Sequence, residues 1–216
     1  MDSEPKFFNP YAEIEVTANN LPHWQQAGAT YFITFRLGDS IPAERLEDWR
    51  MERKSWLATH PEPWSMETEG DYHRLFSAQI DAWLDAGEGE CLLRTPALRE
   101  PLVNTLRHGD EDRYRLHAWV LMPNHVHVLV TLAERATLEI EIGAWKSISA
   151  RRINRLLDRS GNRWQEDYFD RLVRDRDHFA NCVRYIRRNP DKAQLPEGNY
   201  DLYESDLALE FAPRES

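Results

Sequence analysis

The chain has 216 residues, of which 41% are hydrophobic and 30% charged, with a formal net charge of −10. This length supports one compact domain with a sizeable core and room for an inserted piece, and the composition excludes a disordered or fibrous chain. No apolar run approaches the ~20 residues of a membrane-spanning helix, and the opening MDSEPKFFNPYAE lacks the basic and apolar regions of a secretion signal, so a cytoplasmic protein without a membrane partner is expected.

In chain order, YFITFRL (residues 31–37) alternates Tyr31, Ile33, Phe35 and Leu37 against Phe32, Thr34 and Arg36, which predicts a strand. From Asp39 to Glu90 the pattern turns helical and acidic, with Trp49, Trp56, Leu75, Ile80, Trp83 and Leu84 set among charges on either side of the loop HPEPW. The stretch reads as a helical insertion within a single domain. A further helix is expected over residues 96–107. Tyr114–Met122 and His125–Leu132 both alternate and are joined by a turn with Pro123 and Asn124, the pattern of a β-hairpin. Ile142, Trp145, Ser149, Arg152, Ile153 and Leu156 then fall at helical spacing, with Thr137 as a possible cap and Ser160-Gly161-Asn162 as the stop. An extended piece near Arg171–Arg174 leads to a last helix, which Asp177 is placed to cap and Pro190 to end. Strands joined by hairpins and interleaved with helices predict an α+β fold on an antiparallel sheet. The two cysteines, Cys91 and Cys182, lie far apart without CxxC spacing, which suits a reducing compartment and excludes a cysteine zinc site.

Charge is unevenly spread. Residues 144–192 hold 13 Lys/Arg against 7 Asp/Glu, whereas Asp39–Glu90 holds 5 against 13. Lys146, Arg151, Arg152 and Arg155 on one predicted helix, and Arg184, Arg187 and Arg188 on the next, are therefore candidate phosphate contacts. A solvated helix face explains the same residues equally. The acidic insertion would repel a nucleic acid and is expected to face away from one.

Side chains alternate along a strand, so His125 and His127 project together while Val126 and Val128 face the opposite layer. Two adjacent imidazoles can share a metal ion, or simply line a wet sheet face. Val128, Leu129 and Val130 follow where a metallo-β-lactamase-type site or a nucleotide-hydrolase histidine triad would need further ligands, so a third ligand must come from elsewhere. On the last helix, Phe179, Cys182, Val183 and Ile186 form an apolar stripe, and Tyr185 and Asn189, one turn apart, share its margin. From the residues alone Tyr185 is either a nucleophile or an aromatic at the core's edge. Tyr168 is its rival.

The order PNHVHVLV, a WKS-containing helix, GNRWQEDYFDRLVRD and RYIRRNPDKAQL, within a span from about Leu21 to Leu195, resembles the REP-associated tyrosine transposases, a branch of the HUH single-strand transposases of the IS200-like group. The resemblance implies a ferredoxin-like antiparallel sheet flanked by helices. It implies His125 and His127 as the metal pair, Asn189 as a third metal-binding side chain, Tyr185 as the single catalytic tyrosine, and Mg²⁺ or Mn²⁺ as the ion. The implied activity is cutting and rejoining of single-stranded DNA at hairpins of repetitive palindromes, through a 5′-phosphotyrosine, by a nucleoid-associated monomer or homodimer. The alternative is a protein that binds such hairpins without turnover.

Overall fold

The computed structural model describes residues 4–18, 22–61 and 65–214; Leu21 and part of the HPEPW loop lie outside them. In chain order the elements are β1 (Glu15–Ala18), β2 (Pro22–Gln25), β3 (Thr30–Arg36), α1 (Ala43–Thr59), α2 (Met66–Tyr72), a π-helical turn (His73–Ser77), α3 (Ala78–Asp85), α4 (Pro96–His108), β4 (Tyr114–Leu121), β5 (His125–Leu132), α5 (Leu138–Leu157), β6 (Phe169–Leu172), α6 (Arg176–Lys192), β7 (Asp201–Glu204) and α7 (Asp206–Phe211). β1 and β2 pair with each other as a separate antiparallel ribbon, an element too short for its alternation to show in the sequence.

The main sheet has the order β6-β3-β5-β4-β7, and every neighbouring pair is antiparallel. Without β7, the run β3-α4-β4-β5-α5-β6 is the βαββαβ arrangement of a ferredoxin-like fold, and the expected α+β class stands. The hairpin, the β3 strand and the helix beginning at Pro96 fall where alternation and periodicity put them.

Alternation also sorts the two faces. Tyr31, Ile33, Phe35, Val126, Val128 and Val130 pack with Leu102 and Leu106 of α4 and Ile142, Trp145 and Ile153 of α5. Each such buried side chain contributes on the order of 1.5–3 kcal/mol. The opposite face carries Ala118, Val120 and Leu129 against Phe179, Val183 and Ile186 of α6 and Ala208 of α7. The insertion holds a small core of its own, with Trp49, Phe76, Ile80 and Leu84 buried, but Leu75 stands on its surface.

Several local expectations change. In β4 the register shifts between Leu116 and Ala118, a bulge that breaks strict alternation and turns the His117 ring toward Phe179 of α6. The cap of α6 is Asp175, whose carboxylate accepts from the His178 amide, rather than Asp177. Pro190 lies inside α6 and does not stop it at once: the helix runs to Lys192, and the Pro190 carbonyl still accepts from Leu195. Thr137 occupies the cap position of α5 without a side-chain bond, and Asp158 ends that helix in the left-handed region at φ 49°.

The WKS and WQEDYFD segments act mainly in packing. Trp145 donates to the Tyr114 hydroxyl, and Ser149 joins the Trp145 carbonyl to the Trp164 indole. Tyr168 is buried in the same core, with its hydroxyl pushed up by burial. This rival tyrosine lies in the core that packs on the sheet face across from the imidazoles.

Candidate active site

β5 places His125 and His127 on the sheet face that α6 covers, and α6 lays Tyr185 and Asn189 against them. The two imidazole centroids are 4.8 Å apart, and the Tyr185 ring lies 5.2 Å from that of His127. The Asn189 amide nitrogen is 3.4 Å from His127 Nε2. Phe32, from the neighbouring strand, stacks on His127 at 5.5 Å and meets Tyr185 edge-on at 5.6 Å. The phenol, the amide and the histidine pair, which the sequence separates by some sixty positions, thus form one cluster.

Each imidazole is fixed by its second nitrogen. His125 Nδ1 lies 2.8 Å from Asn124 Oδ1. The orientation of that amide is settled by its other end, since Asn124 Nδ2 donates to the carbonyls of Leu84 and Glu88 in the insertion. His125 Nδ1 therefore carries the proton and Nε2 a lone pair. In His127, Nε2 accepts from Asn189 and Nδ1 lies 2.7 Å from Thr34 Oγ1, so Nδ1–H donates to the hydroxyl. Cross-strand register supplies this partner, because Thr34 stands directly opposite His127.

His125, His127 and Asn189 are each 1% exposed. Burial pushes the His125 imidazole down to about 3, and burial together with the neighbouring His125 pushes His127 well below its ordinary value. Both rings are neutral at physiological pH, the form that binds metals. Asn189 Oδ1 is buried without a hydrogen-bond partner, a state that costs free energy unless the atom has a use. Two Nε2 lone pairs and an orphaned amide oxygen within one small volume fit a divalent ion. Among the described residues no group of three His, Cys, Asp or Glu offers another metal site.

The insertion closes on this centre. Asp81 of α3 faces the Tyr185 hydroxyl, and Asp85 pairs with Lys192 at the end of α6 at 2.8 Å. The Tyr185 oxygen is buried beside Asp81 and Asn189 without closing a well-formed hydrogen bond to either. Burial first, and the Asp81 charge second, raise the phenol far above its ordinary value, and burial also raises the Asp81 carboxyl. Apolar packing of Trp49 on Phe169 and the Asn124 contacts draw the acidic helices onto the tyrosine. Thr34, Asn124 and Asp81 were not singled out by sequence reasoning as site residues. Only strand pairing and tertiary docking bring them in.

The candidate phosphate contacts do not form one surface. Arg151, Arg152 and Arg155 are exposed on α5, whose packing face lies across the sheet from the imidazoles. Lys146 directs its ammonium to the carbonyls of Gln165, Glu166 and Asp167, and burial lowers it to about 8. Arg184 bonds Asn181, and Arg188 is exposed. Arg187 is tied to Glu204 and to the carbonyls of Ala212 and Pro213.

No helix is long and apolar enough to cross a membrane among the described residues. A search of curated proteins finds no match. Among solved structures, the chain is similar to a REP-associated tyrosine transposase bound to a REP hairpin, at 19% identity and a TM-score of 0.43, over 81% of this chain and 74% of that one. It is also similar to a candidate transposase of Deinococcus radiodurans R1, at 14% identity and a TM-score of 0.31, over 85% and 97% of the two chains. The family model described as "Transposase IS200 like" matches residues 100–189, the segment that carries the histidine pair, the tyrosine and the asparagine.

Proposed function

We propose that this protein nicks and rejoins single-stranded DNA beside repeat hairpins, with Tyr185 as nucleophile and a divalent ion, Mg²⁺ or Mn²⁺, held by His125, His127 and Asn189. One observation carries the reading: the phenol of Tyr185 stands against His127 in a buried cluster where Asn189 Oδ1 has no other partner. Rotation of the Asn189 amide would present that oxygen beside the two Nε2 atoms. The bound ion would polarise the scissile phosphate and offset its developing charge.

The remaining chemistry belongs to the chain. Tyr185 gives up its phenol proton and attacks phosphorus, its oxygen forms the new P–O bond as the bond to the 3′-oxygen breaks, and that oxygen takes up one proton and leaves as a hydroxyl, so no net proton is released. The 5′-phosphotyrosine conserves the bond energy, so the same hydroxyl can later return and expel the phenol. Phe32 and α6 keep the phenol in register with the imidazoles, and Thr34 and Asn124 keep the imidazoles aimed. Arg188, exposed on the helix that carries the tyrosine, contacts phosphates beside the scissile one, and Arg151, Arg152 and Arg155 offer a separate basic face on α5 for more distant phosphates. Hairpins as the substrate follow from the likeness of PNHVHVLV and RYIRRNP to the REP-associated branch.

The test is a stem–loop oligonucleotide with single-stranded arms, incubated with the protein and Mn²⁺ and resolved on a denaturing gel. A covalent protein–DNA adduct is expected, absent from Tyr185→Phe and from His127→Ala. Binding without adduct under any divalent ion would instead support a hairpin-binding protein without turnover. Full cleavage by Tyr185→Phe would indicate hydrolysis that uses the histidines alone.

A further inference from the structure

A half-open cavity of about 130 Å³ lies between the insertion and the β3–β6 side of the sheet. It adjoins the catalytic cluster through three wall residues. Phe32 packs on both His127 and Tyr185, Thr34 bonds His127, and Asp81 faces the Tyr185 hydroxyl. The far wall comes from the insertion, with Tyr72 at the end of α2 and His73 and Ser77 on the π-helical turn. Such turns are uncommon and concentrate at functional sites. Phe169 and Arg171 of β6 complete the enclosure.

We infer that this cavity receives a single pyrimidine base of the DNA strand, next to the phosphate that Tyr185 attacks. The inference rests on the proposed strand-cleavage reading and extends it to base selection. Size sets the class, since a cavity of ~150 Å³ takes up one benzene ring, and the volume here suits one six-membered ring better than a purine. Lining chemistry agrees. Phe32, Tyr72 and Phe169 supply aromatic surface for stacking. Asp81 and Asp170 supply carboxylate acceptors, which pair with the exocyclic amine of cytosine. Arg53, bonded to the Tyr72 hydroxyl, and Arg171, bonded to His73, bring positive charge to the same walls. A base seated there lies within one nucleotide of the tyrosine, because the cavity wall and the wall of the catalytic cluster are the same side chains. The insertion thereby acquires a role that its overall acidity conceals: it builds half of a base pocket.

The test uses the full-length wild-type protein and a stem–loop oligonucleotide with a single-stranded cytosine arm, one position at a time replaced by 5-iodo-2′-deoxycytidine. After ultraviolet irradiation, crosslinks at one arm position are expected in peptides containing residues 72–81 or 168–171. In parallel, replacing that nucleotide by a purine should weaken binding roughly 5- to 150-fold, the worth of one base stack. Ser77→Phe, which fills the cavity, should abolish the pyrimidine preference while leaving Mn²⁺ binding by the imidazoles intact. Crosslinks confined to other surfaces, with the oligonucleotide still bound and cleaved, would overturn the pocket and leave the cleavage reading standing. Failure to bind or to form an adduct with any stem–loop would overturn both.

Discussion

Replacing Thr34 by valine keeps the shape of the side chain and removes only the hydroxyl that accepts from His127 Nδ1 at 2.7 Å. The Nδ1–H is then left without its protein acceptor in a site where His127 is 1% exposed. Loss of the bond and the unsatisfied donor together cost about 1–3 kcal/mol of stability. The more specific effect is on the ion. Partners of this kind fix the tautomer and aim of a ligating imidazole, and their removal typically costs 10- to 100-fold in metal affinity, about 1.4–2.8 kcal/mol. Thr131→Val is the control, because Thr131 holds His117 on the same sheet face at the same 2.7 Å but lies outside the cluster. Isothermal titration with Mn²⁺ near neutral pH should show the loss in Thr34→Val and not in Thr131→Val, while urea unfolding shows a similar destabilisation in both. An unchanged Kd in Thr34→Val, or an equal rise in Thr131→Val, would refute the assignment of His127 as a ligand.

Asp81→Asn removes the charge that, after burial, does most to keep the Tyr185 phenol protonated. Adduct formation should become faster near neutral pH and the alkaline limb of its pH profile should move to lower pH; a slower reaction would make Asp81 the proton acceptor instead. The metal-free protein should weaken in acid. His117 and His125 are pushed down to about 3 and His127 well below its ordinary value, whereas unfolded imidazoles titrate near ~6.5. The unfolded chain therefore binds more protons between these values. Stability is full above pH ~6.5 and falls as pH drops toward about 3, by on the order of 1.4 kcal/mol per pH unit for each imidazole. Urea midpoints that stay constant across this window would contradict the buried neutral assignment. Finally, Arg187→Ala leaves the Glu204 carboxylate, its side chain 1% exposed, with Arg214 as its remaining cation and removes the bonds to the carbonyls of Ala212 and Pro213, and should lower Tm by several degrees. Arg188→Ala should reduce both DNA affinity and the slope of its salt dependence, measured by fluorescence anisotropy.

The parts of the fold legible in the sequence were those written in local periodicity. Alternation in HVHVLV set both imidazoles on one face, and the one-turn spacing of Tyr185 and Asn189 put phenol and amide on one helix margin. Features that depend on which strand lies beside which were not legible. Thr34 looks like any strand threonine until antiparallel register sets it opposite His127. Asn124 reads as a turn residue, and its part in orienting His125 depends on carbonyls of Leu84 and Glu88 about forty residues away. Nor does charge reveal where the insertion docks. Trp49, packed on Phe76 within it, meets Phe169 of β6, and Asp81 comes to face the tyrosine. The basic run on α5 shows the converse, because Lys146 serves as a tether for the segment that leads into β6.

The β7 strand, which pairs with β4 at the sheet edge, ends in Glu204, and that carboxylate grips Arg187 from α6 and Arg214 from beyond α7. Arg187 also holds the carbonyls of Ala212 and Pro213. The helix bearing Tyr185 is thus bolted to its own sheet two residues from that tyrosine. Such a helix is poorly suited to trading places with the same helix of another copy, so cleavage should proceed in cis, and mixing a subunit without the imidazole with one without the phenol should restore nothing.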